Sequence, residues 1–478
     1  MQKKFLEQMA DYIGSVSYES LGTEIIEISK LAIIDTIAVA LAGWNEPSVE
    51  VVKKTYMKKS TNYAMASIWG ELEKVPLEYA ALINGTATHA LDFDDVTPTI
   101  LAHPSAPIVA SIFTLGEYLE KSMKDILAAY VVGTEVMITI GKVMGFKHYD
   151  LGWHSTSTLG TIGATAACGH LMRFNKEKLQ NAIAISASMA GGLQKNFGTM
   201  TKPLHVGLAA QHSIQAVLLA EEGLTANKEI FEERGFFQAY TGSDPFVHLS
   251  KNMQNTIFGG QHDYEINGLS VKKFPCCYLT HRFIDGMLEI RKENNLKLSE
   301  VVEINVSVPP NGLTALIHHK PKTGLQGKFS AEYTCLAALE DGEIQLNSFT
   351  DSMVQRDKIQ KLFGIVQLSE YEGEITDSEE IEKLPVYVSV VTKEGKVIEK
   401  EVKHAPGSKG KPMNLEEYEA KWSDCLTFAY GDEVDSKQKS KMEHFFQQGL
   451  EMEKLHSLKE WIENIKGFMS ESKEERIV

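Results

Sequence analysis

The sequence predicts a mainly α protein, in which a large all-helical domain carries a smaller α+β lid domain. Three observations predict it. Apolar residues at helical spacing run through the first 265 residues and return after residue 412. Between them lie alternating strand patterns, VVEINVSVPP and PVYVSVVTKEGKVIEKEVKH. The chain has 478 residues, enough for two or three domains and a large core. The helical domain is accordingly placed at 1–265 and 412–478, and the α+β lid at 266–411.

The elements follow in chain order. MQKKFLEQMADYIG opens a charged amphipathic helix. EIIEISKLAIIDTIAVALAG sets Ile26, Ala32, Ile33, Ile37, Ala40 and Leu41 on a helical repeat. DILAAYVVGTEVMITIGKVM and KLQNAIAISASMAGGLQ are apolar or small nearly all round, as buried helices are. TLGTIGATAACGHLM brings Gly160, Gly163 and Ala167 into close helix packing; it follows no strand, so the phosphate-loop reading is the weaker one. In the second region CYLTHRFIDGMLEIRKEN and KFSAEYTCLAALEDG read as helices, VVEINVSV as a strand stopped by prolines, and the residues around KEGK as a hairpin. NLEEYEAKWSDCLTFAY and LHSLKEWIENIKGFM return to helix, and the tail SESKEERIV is expected to fray.

Composition narrows the function classes. A net charge of −16 argues against nucleic acid and anionic membrane surfaces, which both want a basic face. The five cysteines, Cys168, Cys276, Cys277, Cys335 and Cys425, are odd in number and show no CxxC or Cys/His ligand spacing. No disulfide framework and no zinc or iron–sulfur site is expected, which fits a reducing, cytoplasmic setting. The N-terminus lacks the apolar core of a signal peptide. The run LAIIDTIAVALAG contains Asp35 and is too short for a bilayer.

Five segments place polar residues in apolar surroundings. HALDFDDVTPT crowds Asp92, Asp94 and Asp95 into four positions. The acids read as solvated carboxylates after a helix, as a metal cluster without EF-hand spacing, or as one buried acid orienting a histidine. AHPSAPIVAS puts His103 before a proline that opens a helix, where it can titrate near neutrality. YDLGWHSTSTLG follows His154 with hydroxyls, Thr156 among them, that either cap free N–H groups or share them with a carboxylate. GTMTKPLHVGLAAQHS sets Lys202 at the head of a helix, with His205 just behind. A cation there opposes the helix dipole by about a few tenths of a kcal/mol, a cost that an anion removes. KKFPCCYLTHRFIDG starts a helix at His281, behind two cysteines read as buried small residues. Histidines, a lysine and an acid at loop-to-helix junctions suit removal of a proton beside a carboxylate: histidine carries the proton, while lysine and helix N-termini hold the negative charge.

HALDFDDV, HPSAPIVAS, GWHSTSTLG, NFGTMTKPLHVGLAAQHS, KKFPCCYLTH and PKTGLQGKFSAEYT, in this order and spacing, resemble the MmgE/PrpD family over nearly the whole chain. The family holds 2-methylcitrate dehydratases, cis-aconitate decarboxylases and an iminodisuccinate epimerase. The resemblance implies a homodimer, no metal or organic cofactor, and a site between the two domains. It places Asp92, His103, His154, Lys202 and His281 on the family's active-site positions. Lys202 is then expected to bind a substrate carboxylate, His103 and His154 to position substrate or move protons, Asp92 to fix a histidine tautomer, and His281 to act as acid or base from the lid. Thr97, Thr156 and Lys328 are expected as further substrate contacts. Two departures stand out. Val96 follows the acids where many members have threonine, with Thr97 one place later. ALIHHKP carries His318 and His319 where some decarboxylases carry a tyrosine. The leading expectation is therefore a hydro-lyase of the 2-methylcitrate type on a small di- or tricarboxylate. Decarboxylation of cis-aconitate and epimerisation of an aminodicarboxylate are the nearest alternatives. A non-catalytic carboxylate binder and a metal-dependent hydrolase rank below them.

Overall fold

The computed structural model describes residues 3–59, 65–243, 257–260, 262–373, 383–431, 434–455 and 457–474. Its apolar interior separates along the chain. One cluster collects buried residues from Phe5 to Leu269 and again from Trp422 to Met469. A second runs from Phe274 to Val390 and takes in Phe197 from the helical part. Val96, Tyr278 and Ala405 form a small third cluster where the two meet.

The helical part is built on sequences apolar on most sides, which therefore pack on most sides. Thr23–Ala42 buries every residue from Ala32 to its end, Asp35 included. Asp35 is matched by Lys421 of the Leu415–Tyr430 helix at 2.7 Å, so the charge in that apolar run is paired. Helices approach closely where glycines remove side chains. A Cβ on Gly163 of Ser155–Leu171 would lie 2.8 Å from the carbonyl of Gly133 in Met123–Met144, which is the packing use expected of that glycine-rich stretch. Leu77–His89 and Thr201–Glu221 cross at Gly85 and Gly207. A Cβ on Gly207 would stand 2.3 Å from Thr86 Oγ1 and 2.4 Å from the Leu82 carbonyl. Met123–Met144, 22 residues long, is long and apolar enough to cross a bilayer by length and composition; 83% of its most apolar window is buried inside the fold.

The α+β part is one four-stranded sheet with helices on it. With β1 (Ala66–Ser67) and β2 (Lys74–Val75) a short hairpin in the helical part, the sheet strands are β3 (Val301–Val308), β4 (Val366–Glu370), β5 (Val386–Thr392) and β6 (Val397–Val402). Their order is β4-β3-β5-β6; β3 and β4 run parallel and the other neighbours antiparallel. Ile304, Val306 and Val308 alternate with exposed or half-buried residues, as do Val386, Val388 and Val390. That face is covered by His281–Asn294 and Ala331–Asp341. β4 carries no clear alternation, with one buried residue in VQLSE, and was not expected from the sequence. The last helix runs Leu458–Glu474; residues 475–478 of the tail expected to fray lie outside the described residues.

Candidate active site

Leu77–His89 ends at His89, and the chain then makes a tight turn with Asp92 in the left-handed region, φ 52°. Aspartate tolerates that conformation better than most residues. The turn sends Asp92, Asp94 and Asp95 in different directions, and all three are buried. The solvated-carboxylate reading of this segment is thereby overturned. The three carbonyls of the turn are each met by a lysine from far along the chain. Lys328 donates to the Leu91 carbonyl, Lys272 to that of Asp92 at 2.7 Å, and Lys421 to that of Phe93 at 2.9 Å.

Asp92 is the anion at the head of the Thr201–Glu221 helix. Its Oδ1 accepts from Lys202 at 2.7 Å and from Lys272 at 3.0 Å. Burial would raise this carboxyl; Lys202 and Lys272 overrule it and hold it well below the usual range. The Lys202 ammonium also lies over the rings of Phe197 and Phe329, at 5.2 and 4.9 Å from their centroids. The cation at this helix start is thus neutralised by the protein itself. For Lys272, wholly buried, burial works against the charge, but Asp92 prevails and the ammonium is held above its ordinary value.

The acid beside His103 is Asp94, not Asp92. Asp94 Oδ2 lies 3.2 Å from His103 Nδ1 and 2.8 Å from His89 Nδ1, whereas Asp92 Oδ1 is 3.8 Å from His103 Nε2. The role of fixing a histidine tautomer, expected of Asp92, falls geometrically to its neighbour because the left-handed turn aims Asp92 at the lysines. Asp95 accepts from the backbone and hydroxyl of Ser105 at the start of Ser105–Tyr118, and burial raises it to about 7. His103 is fixed further by its backbone N–H, which donates to Thr156 Oγ1 at 3.2 Å.

His154 precedes Ser155–Leu171, and its backbone N–H donates to the Gly192 carbonyl at 3.0 Å. Its Nδ1 is 3.2 Å from Nδ1 of His205, so one of the two donates and the other accepts. Burial, with Lys202 beside it, pushes His154 well below the imidazole range, while Nε2 has no hydrogen bond among the described residues.

These groups line one cavity at the seam between the two parts. Asp92, His103, His154, Thr156, Lys202 and Lys272 supply its polar wall. Phe197, Phe329, Tyr149 and Cys277 supply the apolar one. Its volume is about 50 Å³, room for a few waters. Three expected residues do not line it. Thr97 is buried and closes the loop by pairing with Ala102. Lys328 is spent on the Leu91 carbonyl, and burial lowers it to about 8. His281 stands behind the wall, between Phe274 and Tyr278, and burial with Lys272 nearby lowers it to about 3. His318, in place of the tyrosine, contacts the Phe197 carbonyl at 3.4 Å and does not line the cavity. Lys272 and His89 are the site groups that sequence reasoning missed, and Asp94, named there among the crowded acids, takes the histidine-orienting place expected of Asp92. The doubled lysine of KKFPCC and the histidine of HALDFDD were the only signals for them.

His89, Asp92, Asp94 and His103 place one possible ligand atom each within 4.8 Å of one another. The two carboxylates are already engaged: two ammonium groups hold Asp92 Oδ1 and two imidazoles flank Asp94. Positive charge stands where a cation would go, so the donor set does not fit a metal.

The burial of so many titratable groups sets the acid stability. His89, His148 and His281 are pushed to about 3 and His205 to about 4, burial being the largest cause in each. Unfolded, these imidazoles take protons near pH 6.5 that the native state refuses, so stability is lost as pH falls from about 6.5 toward 3. Asp95 and Glu135, raised to about 7 by burial, work the other way and lose their contribution as pH rises through about 7. The histidines outnumber the acids. The urea midpoint is expected to peak near neutrality and to fall steadily below about pH 6.5; a midpoint unchanged down to about pH 4.5 contradicts this.

The comparisons with known proteins agree with the architecture. The MmgE/PrpD N-terminal domain matches residues 7–248, and the MmgE/PrpD C-terminal domain matches 274–447. A cis-aconitate decarboxylase of Homo sapiens is 30% identical over 380 residues, covering 77% of this chain and 76% of that protein. The cis-aconitate decarboxylase of Mus musculus is 31% identical over 378 residues, covering 76% and 75%. One from Aspergillus terreus is 24% identical over 377 residues, covering 74% and 76%. Matched at both of its domains and along most of its length, the chain belongs to the MmgE/PrpD family.

Proposed function

We propose that the protein is a lyase acting on a small tricarboxylate without a cofactor, and that its reaction is the decarboxylation of cis-aconitate. The observation that carries the reading is the cavity in which Lys202 and Lys272 face His103 and His154 across Asp92. The relatives, all cis-aconitate decarboxylases in name or likeness, favour this over the dehydration that the sequence first suggested. In the reaction the bond to the departing carboxylate breaks and its electron pair becomes the new carbon–carbon double bond. The old double bond takes a proton at the carbon beside a second carboxylate, and CO₂ leaves. Lys202 and Lys272 hold the remaining carboxylates and the charge that builds between them. His103, its Nε2 on the cavity side, delivers the proton. A six-carbon acid exceeds about 50 Å³, so binding moves the walls of the seam apart and the acid replaces part of the Asp92–lysine pairing.

A proton NMR time course in D₂O with 2-methylcitrate, citrate and cis-aconitate in turn tests the reading. Itaconate carrying one deuterium, formed from cis-aconitate alone, is the expected result. Loss of water from a hydroxy acid instead assigns the hydro-lyase. No turnover of any of the three overturns the lyase reading for these acids.

A further inference from the structure

The chemistry above engages His103 but leaves its neighbours unused. Behind His103 lies a buried string, His103–Asp94–His89. Asp94 is fully buried, with His89 Nδ1 at 2.8 Å and His103 Nδ1 at 3.2 Å from Oδ2. The two rings meet edge to face, with centroids 4.6 Å apart. His89 Nδ1 is hydrogen-bonded to this carboxylate, whereas His103 Nδ1 stands at ion-pair distance from it without a well-aligned hydrogen bond. A carboxylate held ionised only accepts hydrogen bonds, so the hydrogen facing it belongs on each Nδ1. Burial would raise Asp94, but His89 and His103 overrule it and hold it well below the usual range. Both Nε2 atoms are then left bare. That of His103 lies toward the cavity and Asp92. That of His89 is buried without a hydrogen bond among the described residues, in a ring stacked 5.7 Å from His154. A bare buried nitrogen costs free energy, and the same carboxylate offsets it by holding both rings.

We infer that Asp94 is the positioning residue of this site: it fixes His103 as the Nδ1–H tautomer, turns Nε2 to the substrate, and stabilises the imidazolium that His103 becomes when it carries a proton. His89, donating to the same carboxylate from the opposite side, keeps Asp94 oriented. The proton given to substrate leaves from His103 Nε2; the Nδ1 hydrogen stays on His103, and Asp94 stays ionised. The inference rests on the reading that His103 moves the proton, whichever lyase reaction follows. Other charged and titratable groups face the string from each side. Asp92 lies in front with Lys202 and Lys272, whose charge disfavours an imidazolium. His154 and His205 stand beside it. Asp95 and Asp35 stand behind and feel the Asp94 charge.

Asp94→Asn is the discriminating change. An amide oxygen accepts from one imidazole, but the amide nitrogen must donate to the other, so one of the two histidines is forced into the opposite tautomer. We expect kcat to fall about 10²–10⁴-fold, as when the orienting carboxylate of a catalytic histidine is neutralised, with KM within about threefold and the alkaline limb of the kcat profile, where the proton donor His103 loses its proton, displaced to lower pH. His89→Gln keeps a donor toward Asp94 and is expected to lose about tenfold or less. Independently of turnover, wild-type protein labelled with ¹⁵N-histidine should show two strongly deshielded Nδ1–H protons. His89→Gln removes one and Asp94→Asn disturbs both. An Asp94→Asn enzyme within about threefold of wild-type kcat overturns the inference. So does a wild-type spectrum with the His103 hydrogen on Nε2, or a variant that loses stability while its pH limb stays in place. If Asp94→Asn does not fold, the wild-type spectrum decides. If cis-aconitate is not a substrate, the proposed reaction fails while the spectrum still tests the tautomer.

Discussion

Lys202→Met is expected to lower kcat/KM for the tricarboxylate by about 10²–10³-fold, the usual cost of removing one preorganised partner of a developing negative charge. The fold should survive. Asp92 keeps Lys272 at 3.0 Å, so the buried carboxylate is not left without a cation. The methionine stem remains between the rings of Phe197 and Phe329, which now flank the ammonium. The loss in stability is therefore expected at or below about 3 kcal/mol, the lower end for breaking a buried pair. Steady-state kinetics beside a urea titration of the same sample separate the two effects. A variant that turns over substrate within about threefold of wild type would remove Lys202 from the chemistry.

Gly207→Ala should be a damaging single-methyl change at the heart of the helical part. The new carbon would sit 2.4 Å from the Leu82 carbonyl, which is backbone, and 2.3 Å from Thr86 Oγ1, which is short and hydrogen-bonded to that same carbonyl. Neither can yield without moving the Leu77–His89 helix. Overpacking of this kind costs about 1–3 kcal/mol or more. Alanine returns about 1 kcal/mol through helix propensity, so a net loss toward the upper end of the difference, up to about 2 kcal/mol, is expected. Gly14→Ala is the control: it lies in the Phe5–Ser15 helix with nothing within 4 Å of the added carbon, and should stabilise slightly. Because Leu77–His89 ends at His89 and Thr201–Glu221 carries Lys202 in its first turn, Gly207→Ala should also reduce activity in the folded fraction. Equal urea midpoints for the two glycine variants would contradict the close crossing.

The long helices were legible because burial on one or more sides writes a 3.6-residue repeat, and EIIEISKLAIIDTIAVALAG and DILAAYVVGTEVMITIGKVM write it plainly. The hairpin was legible from alternation around KEGK. β4 was not, because an edge strand with one buried residue leaves no period to read. In the site, Asp92, His103, His154, Thr156 and Lys202 come together as expected. The division of labour among the three acids was hidden, since it depends on one positive φ at Asp92 that sends neighbouring carboxylates to different partners. Lys272 was hidden because it lies in an irregular segment, and only the tertiary fold brings it across 180 residues to Asp92. His281 misled in the opposite sense: Cys277, Tyr278 and Leu279 reach the cavity, and the first turn of the following helix carries His281 behind them.

The turn at Leu91–Phe93 also dictates when the site can come into being. Its three carbonyls wait for Lys272, Lys328 and Lys421, which lie 180, 237 and 328 residues further along the chain. Pairings at such separations are among the slowest to form, because the intervening loops must close before the contacts offset the entropy lost. A chain leaving the ribosome from its N-terminus can assemble Leu77–His89 and its helical neighbours early. Asp92 can meet Lys202, 110 residues on, but the carbonyls of Asp92, Leu91 and Phe93 wait in turn for residues 272, 328 and 421 to emerge. The reacting centre is thus completed late, and a chain truncated before Lys421 carries every histidine of the site without a finished place to put them.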